Sequence, residues 1–254
     1  MPNADFQHLM AEAAVHQQNK EWEQARDRLR QIIAEAPAYP GARARHGAIL
    51  LLQGLPNQAA EELEAAVHQQ PDDAASWANL AMAYLKLGKG EHTIWAAEEA
   101  VKRNPQHAGI QNNLGVLYQE LGLLEQAAAA FEQALRIRPA KIVSLRNLSV
   151  VYLRQGKLEQ AADMMERVIM LQPRNDKAYA SLGVIQFRQG SLKEAEASFQ
   201  RAVALNSANA EAQKNLGVLY QQQGRKQEAL QALQDALKHG YAADILIPLM
   251  EKLR

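Results

Sequence analysis

Residues 108–141 read AGIQNNLGVLYQELGLLEQAAAAFEQALRIRPAK, and residues 210–243 read AEAQKNLGVLYQQQGRKQEALQALQDALKHGYAA. Both carry Asn-Leu-Gly-Val-Leu-Tyr, at 113–118 and at 215–220, and both place a glycine four residues after the tyrosine, at Gly122 and Gly224. Working outward, Pro37, Pro71, Pro105, Pro139 and Pro173 are each 34 residues apart, and the next step lands on Ser207. Gly54, Gly88, Gly122, Gly156, Gly190 and Gly224 keep the same period. So do Gly47, Gly115, Gly183 and Gly217, with Ala81 and Ser149 filling the gaps. A fixed period of this length is the signature of a repeat architecture.

With the ruler proline at position 32, seven windows follow: 6–39, 40–73, 74–107, 108–141, 142–175, 176–209 and 210–243. Position 7 holds Leu80, Leu114, Leu148, Leu182 and Leu216, and position 11 holds Tyr84, Tyr118, Tyr152 and Tyr220. Position 20 is Ala25, Ala59, Ala127, Ala161, Ala195 and Ala229, and position 27 is Ala66, Ala100, Ala134, Ala202 and Ala236. Position 24 is a larger apolar residue in six windows, among them Phe131, Met165 and Phe199. Positions 4, 7, 8 and 11 share one helical face, as do 20, 24, 27 and 28. The glycine at 15 ends a first helix in the left-handed conformation that glycine tolerates. The proline at 32 lacks an N–H and turns its predecessor away from helix, which stops a second. Small residues at 8, 20 and 27 let the two helices approach closely. Each window is therefore a helical hairpin apolar on both sides, and neighbours must stack to bury it. The expected fold is all-α, a solenoid of antiparallel helical hairpins over residues 1–254.

Composition narrows the function. The chain has 28 Lys and Arg against 28 Asp and Glu, no Cys, and is 48% hydrophobic, enough to bury a core. Zero net charge argues against a dedicated nucleic-acid binder. Without Cys there are no disulfides, thiolate metal sites or Cys nucleophiles. The start, Met1-Pro-Asn-Ala-Asp-Phe, does not read as a secretory signal, and no run of about 18 apolar residues suggests membrane insertion. The expectation is a soluble, cytoplasmic protein.

A 34-residue helix–turn–helix with Leu at 7, Gly or Ala at 8, Tyr at 11, Ala at 20 and 27, and Pro at 32 resembles the tetratricopeptide repeat family. The seven windows cover 238 of 254 residues. Window one departs most, with Glu12 at 7, His16 at 11 and Lys20 at 15, and reads as a distorted repeat or an N-terminal cap. Gln186 replaces the tyrosine of window six. In the tail, 244–254, Ile245, Leu246, Leu249, Met250 and Leu253 form an apolar stripe, expected to make a capping helix with Pro248 near its first turn or kinking it. The resemblance implies a right-handed superhelix whose first helices line a concave groove, and a non-enzymatic scaffold that holds a peptide or a partner's helix there.

Positions 2, 5, 6, 9, 12 and 13 share a helical face separate from the packing face and are the groove candidates. Position 6 gives Arg45, Asn79, Asn113, Asn147, Ser181 and Asn215. Each amide carries a donor and an acceptor, so a spaced row can bond an extended backbone whatever its sequence. The row is similar to the asparagine ladder of O-linked GlcNAc transferases; the alternative is unspecialised surface amides. Position 9 gives Met82, Val116, Val150, Val184 and Val218, and position 12 adds Leu51, Leu85, Leu153 and Phe187. Together they make an apolar stripe, either open to a partner or buried between neighbouring first helices. Charge on this face is uneven: Arg45, Lys86, Arg146, Arg154, Lys177, Arg188 and Lys214 face Glu120 and Glu211, a surplus of five. The expected partner is a protein segment, apolar with acidic side chains, unless these cations are merely solvated rims.

Chaperone-binding members of the family hold an acidic C-terminus with Lys at 5 and Asn at 9 in one hairpin, Asn at 6 in the next, then Lys at 2 with Arg at 6. Here Lys214 accompanies Val218 and Lys177 accompanies Ser181, so that clamp is not expected. Trp95, at position 22 on a face usually exposed, either marks a second, convex site or covers the gap left by Ala97 at position 24. No two of the seven His form an H-E-x-x-H pair, and Gly88-Lys-Gly-Glu-His-Thr93 lies in a turn with no strand before it, so no metal or nucleotide cofactor is expected. Glu61, Glu62 and Glu64 read as a solvated helix face, and Asn147-Leu148-Ser149 falls inside a helix, unsuited to glycosylation. Two other function classes stay open: a self-assembling scaffold that docks its first window or tail into a neighbour's groove, and a targeting subunit for a separate enzyme.

Overall fold

The computed structural model describes residues 2–253, with side chains from Asp5 onward; Met1, where the signal-peptide reading begins, lies outside them. The described residues form fifteen helices. They fall into two compact units, 1–138 and 139–254. The first holds α1 (Pro2–Gln18), α2 (Trp22–Glu35), α3 (Ala42–Leu52), α4 (Pro56–Gln69), α5 (Ala74–Lys86), α6 (Gly90–Arg103), α7 (Ala108–Glu120) and α8 (Leu124–Ile137). The second holds α9 (Ile142–Arg154), α10 (Leu158–Leu171), α11 (Asp176–Arg188), α12 (Leu192–Leu205), α13 (Ala210–Gln222), α14 (Lys226–Lys238) and α15 (Ala243–Glu251). Consecutive odd and even helices pack as hairpins, and each hairpin packs on the next within its unit.

The turn inside each hairpin has one cause. Gly54, Gly88, Gly122, Gly156, Gly190 and Gly224 all have φ between 71° and 81°. The N–H three residues past the helix then reaches back five residues, as from Leu123 to Tyr118 O at 2.8 Å, and the glycine N–H reaches back three, as from Gly122 to Gln119 O at 3.1 Å. These two bonds satisfy carbonyls that the helix end would otherwise orphan. Window one repeats the geometry with a lysine: Lys20 has φ 62°, and Glu21 N–H bonds His16 O at 2.8 Å. The departure at Lys20 is thus one of residue type, not of backbone.

The core follows from pairs across each hairpin. An added Cβ would lie 2.6 Å from Leu63 on Gly47, 2.7 Å from Phe131 on Gly115, 2.6 Å from Phe199 on Gly183 and 2.7 Å from Leu233 on Gly217. Bare backbone at position 8 admits the bulky side chain at 24. Where position 8 carries a side chain the partner changes: Ala81 accompanies Ala97, and Ser149, buried, donates from Oγ to Ala161 O at 2.9 Å.

Stacking uses bonds that the periodicity did not single out. Position 34 caps the next first helix: His107 Nδ1 accepts from Ile110 N–H, Asn175 Oδ1 from Ala178 N–H, and Asn209 Oδ1 from Ala212 N–H. The side chain at position 4 donates to the carbonyl at position 32 of the preceding repeat. Trp77 Nε1 reaches Pro71 O at 2.8 Å, Gln111 Nε2 reaches Pro105 O at 3.2 Å, and Gln213 Nε2 reaches Ser207 O at 2.7 Å.

The tail forms helix α15 with one difference from expectation. Leu246 and Leu253 are buried and Leu249 and Met250 pack on the same cluster, but Ile245 is 49% exposed and so lies off the packed stripe, as does Ile247 at 46%. Pro248 is the sixth residue of the helix rather than a first-turn residue. No helix among the described residues is long and apolar enough to cross a membrane.

Candidate functional site

In the second unit, α9, α11 and the start of α13 enclose an open cavity of about 620 Å³. Arg146, Asn147 and Val150 of α9 line it, with Lys177, Ser181 and Val184 of α11. These are positions 5, 6 and 9 of one window and 2, 6 and 9 of the next, which the helical period places on one face. With Leu153 of α9 and Glu211 of α13, which also line it, eight of the groove residues anticipated from sequence therefore converge, one of them acidic. Arg154, Phe187, Arg188, Lys214, Asn215 and Val218 lie outside this cavity, further along the same helices. In the first unit a second cavity, of about 580 Å³ between α1, α3 and α5, brings Arg45 and Asn79 together with Asp73 and Ser76. Met82, Asn113 and Val116 do not line it.

Burial resolves the apolar stripe in detail. Met82 and Leu85 pack on the core of the first unit, and Val184 and Phe187 on that of the second. Val150 is 45% exposed. The stripe is thus partly packed onto the cores, and Val150 is its exposed residue in the larger cavity.

Polar capacity is largely unspent. Among the described residues no intramolecular hydrogen bond engages the amides of Asn79, Asn113, Asn147 or Asn215, and Asn215 Nδ2 is buried without a partner. Arg146, Lys177 and Arg188 are exposed and make no ion pair among the described residues, whereas Lys214 Nζ sits 5.5 Å from the Tyr241 ring centroid. Asp176 also lines the cavity, but Asn206 Nδ2 at 2.9 Å and Asn209 Nδ2 at 2.8 Å donate to its Oδ2. Asp176 and its amides sit at repeat positions 1, 31 and 34, outside the set of groove positions read from sequence.

The acidic face of α4 is not uniformly solvated. Glu62 is half-buried, accepts from Arg43 Nη1 at 2.8 Å, and lies 3.3 Å from His46 Nδ1, close enough to pair but outside hydrogen-bond alignment. Contact with His46, then with Arg43, holds its carboxyl below the ordinary carboxylate range, against the burial that pushes it up. Position 23 points across the hairpin at α3, so Glu62 is an internal strut. Glu64 accepts from Tyr84 Oη at 2.9 Å; burial, then Glu64, pushes that phenol up to about 12. Among the described residues no group of three or more His, Asp or Glu is gathered to hold a metal.

Tetratricopeptide repeat family models match residues 46–91 and 147–210, 106–174, and 186–245. The chain belongs to the tetratricopeptide repeat family, and its fold is the all-helical solenoid of that family. A solved tetratricopeptide repeat protein from Parabacteroides merdae is similar over 99% of both chains, with a TM-score of 0.69 and 18% identity. The C-terminal part of a repeat protein from Cytophaga hutchinsonii is similar over 96% of this chain and 99% of its own, with a TM-score of 0.75 and 15% identity. YrrB, described as a tetratricopeptide repeat protein with an unusual peptide-binding site, is similar over 76% of this chain and 99% of its own, with a TM-score of 0.61 and 21% identity. At these identities the likeness is one of fold. No curated protein matches the chain. The fold commonly mediates protein–protein interaction.

Proposed function

We propose that the chain is a non-enzymatic adaptor that binds a partner's segment against its first helices, chiefly in the cavity of α9, α11 and α13. The observation that carries this reading is the convergence there of two exposed, unpaired cations, Arg146 and Lys177, beside the exposed acid Glu211, with the free amide of Asn147 and the open face of Val150. An extended backbone offers donors and acceptors to the amide, an apolar side chain covers Val150, and a carboxylate meets the cations. The likeness to YrrB, whose description names a peptide-binding site, is in keeping with it. The partner is therefore a segment mixing apolar and acidic residues. A peptide array probed with the wild type, Asn147→Ala and Arg146→Glu tests the reading. Loss of acidic spots in the second variant supports it, and unchanged binding in both places the site elsewhere.

A second reading, self-association, has one observation in its favour: Ile245 and Ile247 stand exposed on α15. Light scattering across a concentration series, with and without Ile245→Glu, decides it; a concentration-independent monomer sinks it.

A further inference from the structure

Repeat position 22 lies on the outer face of every second helix. Its other occupants, Asp27, Glu61, Ala129, Asp163, Ala197 and Gln231, are polar or small, and all are exposed. Trp95 alone puts a large aromatic there, 49% exposed. Part of its role is packing: its ring meets Trp77 edge to face at 5.0 Å and 89°. Half of the indole remains uncovered, however, and packing does not account for it.

That indole forms one wall of a cavity of about 390 Å³ between α4, α5 and α6, on the side of the second helices. Trp77 and Tyr84 form further walls, with Glu64 and His68 on α4. The rings of this cavity already attract the chain's own cations. Arg103 lies over Trp77 at 4.6 Å, and Lys89 over Tyr84 at 5.5 Å. Among the described residues no cation lies over Trp95. Arg103 is itself neutralised by Glu99 and donates to Pro71 O, while Glu64 has no cationic partner among the described residues. Its bond from neutral Tyr84 leaves its negative charge intact. A free indole face and an unneutralised carboxylate favour a planar cation.

We propose that this cavity is a second binding site, separate from the groove, which takes an arginine side chain from a basic segment of a partner protein. The guanidinium stacks on Trp95 and its N–H groups donate to Glu64.

The probe is a fluorescein-labelled acetyl-Gly-Arg-Gly-Arg-Gly peptide, with a peptide in which citrulline replaces both arginines as the neutral isostere. Anisotropy is measured with the full chain, with Trp95→Leu, which keeps apolar bulk and removes the π face, and with Glu64→Gln. Circular dichroism melting checks that each variant folds. Binding of the arginine peptide to the wild type is expected to weaken about ten-fold with citrulline and about ten-fold in Trp95→Leu. Glu64→Gln is expected to weaken it about three-fold or more. Equal binding of the citrulline peptide, unchanged binding in Trp95→Leu, or no binding of the arginine peptide by the wild type overturns the proposal. Trp95→Leu leaves the net charge unaltered, so a change in diffuse electrostatic attraction cannot mimic the expected result.

Discussion

A Cβ built on Gly115 would lie 2.7 Å from the ring of Phe131, a side chain with no exposed surface. The two residues form one unit: the helix backbone at 115 is the wall against which the ring at 131 packs. Gly183 and Phe199 repeat the relationship at 2.6 Å.

Gly115→Ala therefore sets two effects against each other. Helix propensity favours alanine by about 1 kcal/mol. Overpacking a closed core costs about 1–3 kcal/mol, and a fully buried ring has nowhere to retreat. The clash wins, and chemical denaturation should find Gly115→Ala less stable, with Phe131→Met in the same chain, the residue at position 24 where position 8 is Ser149, recovering part of the loss. Gly90 is the control: an added Cβ meets only Leu121 Cδ2, at an ordinary 3.7 Å. Gly90→Ala should be neutral or stabilising.

Lys20 occupies φ 62°, where six other hairpins have glycine. A lysine there carries the Cβ–carbonyl crowding of the left-handed region, about 1 kcal/mol. Lys20→Gly should raise stability by about that amount, less the greater freedom it gives the unfolded chain. Gly122→Ala, the reverse exchange, should lower it. Thermal unfolding of both variants checks the pair.

Glu62 supplies a pH dependence. Its folded pKa lies below the ordinary 4.5. Its stabilisation is therefore complete above that value and is lost as the pH falls through the folded pKa. Glu62→Gln should lower stability at pH 7 by about 1 kcal/mol, since solvent still reaches the pair. The gap between wild type and variant should close on acidification below pH 4.5. A gap that does not narrow at all below pH 4.5 would place the cost in packing instead.

What the sequence disclosed was what recurs. Glycine at 15 and proline at 32 are backbone demands made in nearly every hairpin, so the period exposes them and the fold follows. The pairing of 8 with 24 was half legible: the small and large residues were visible, but not that Ala81 and Ala97 change together. Lys20 hid its left-handed conformation because nothing in a lysine announces it. Asp176 went unseen in the groove because its restraint comes from Asn206 and Asn209, about 30 residues on, through bonds no periodicity encodes. Glu62 read as surface because its neighbours Glu61 and Glu64 are exposed, yet one residue's rotation on a helix turns its carboxylate toward Arg43. Ile245 read as core by its apolarity alone, and the face that α15 turns to Leu233 and Tyr220 excludes it.

The central claim is that the cavity of α9, α11 and α13 binds a partner through its cations. Its most direct test is a charge-swap cycle read by fluorescence anisotropy. The tightest acidic peptide from the array is titrated against wild type and Arg146→Glu/Lys177→Glu, and then a peptide with its acids changed to lysine is titrated against both. The account predicts at least about a ten-fold loss for the acidic peptide with the double variant, and recovery of affinity with the lysine peptide. Equal dissociation constants for the acidic peptide with both proteins would contradict it.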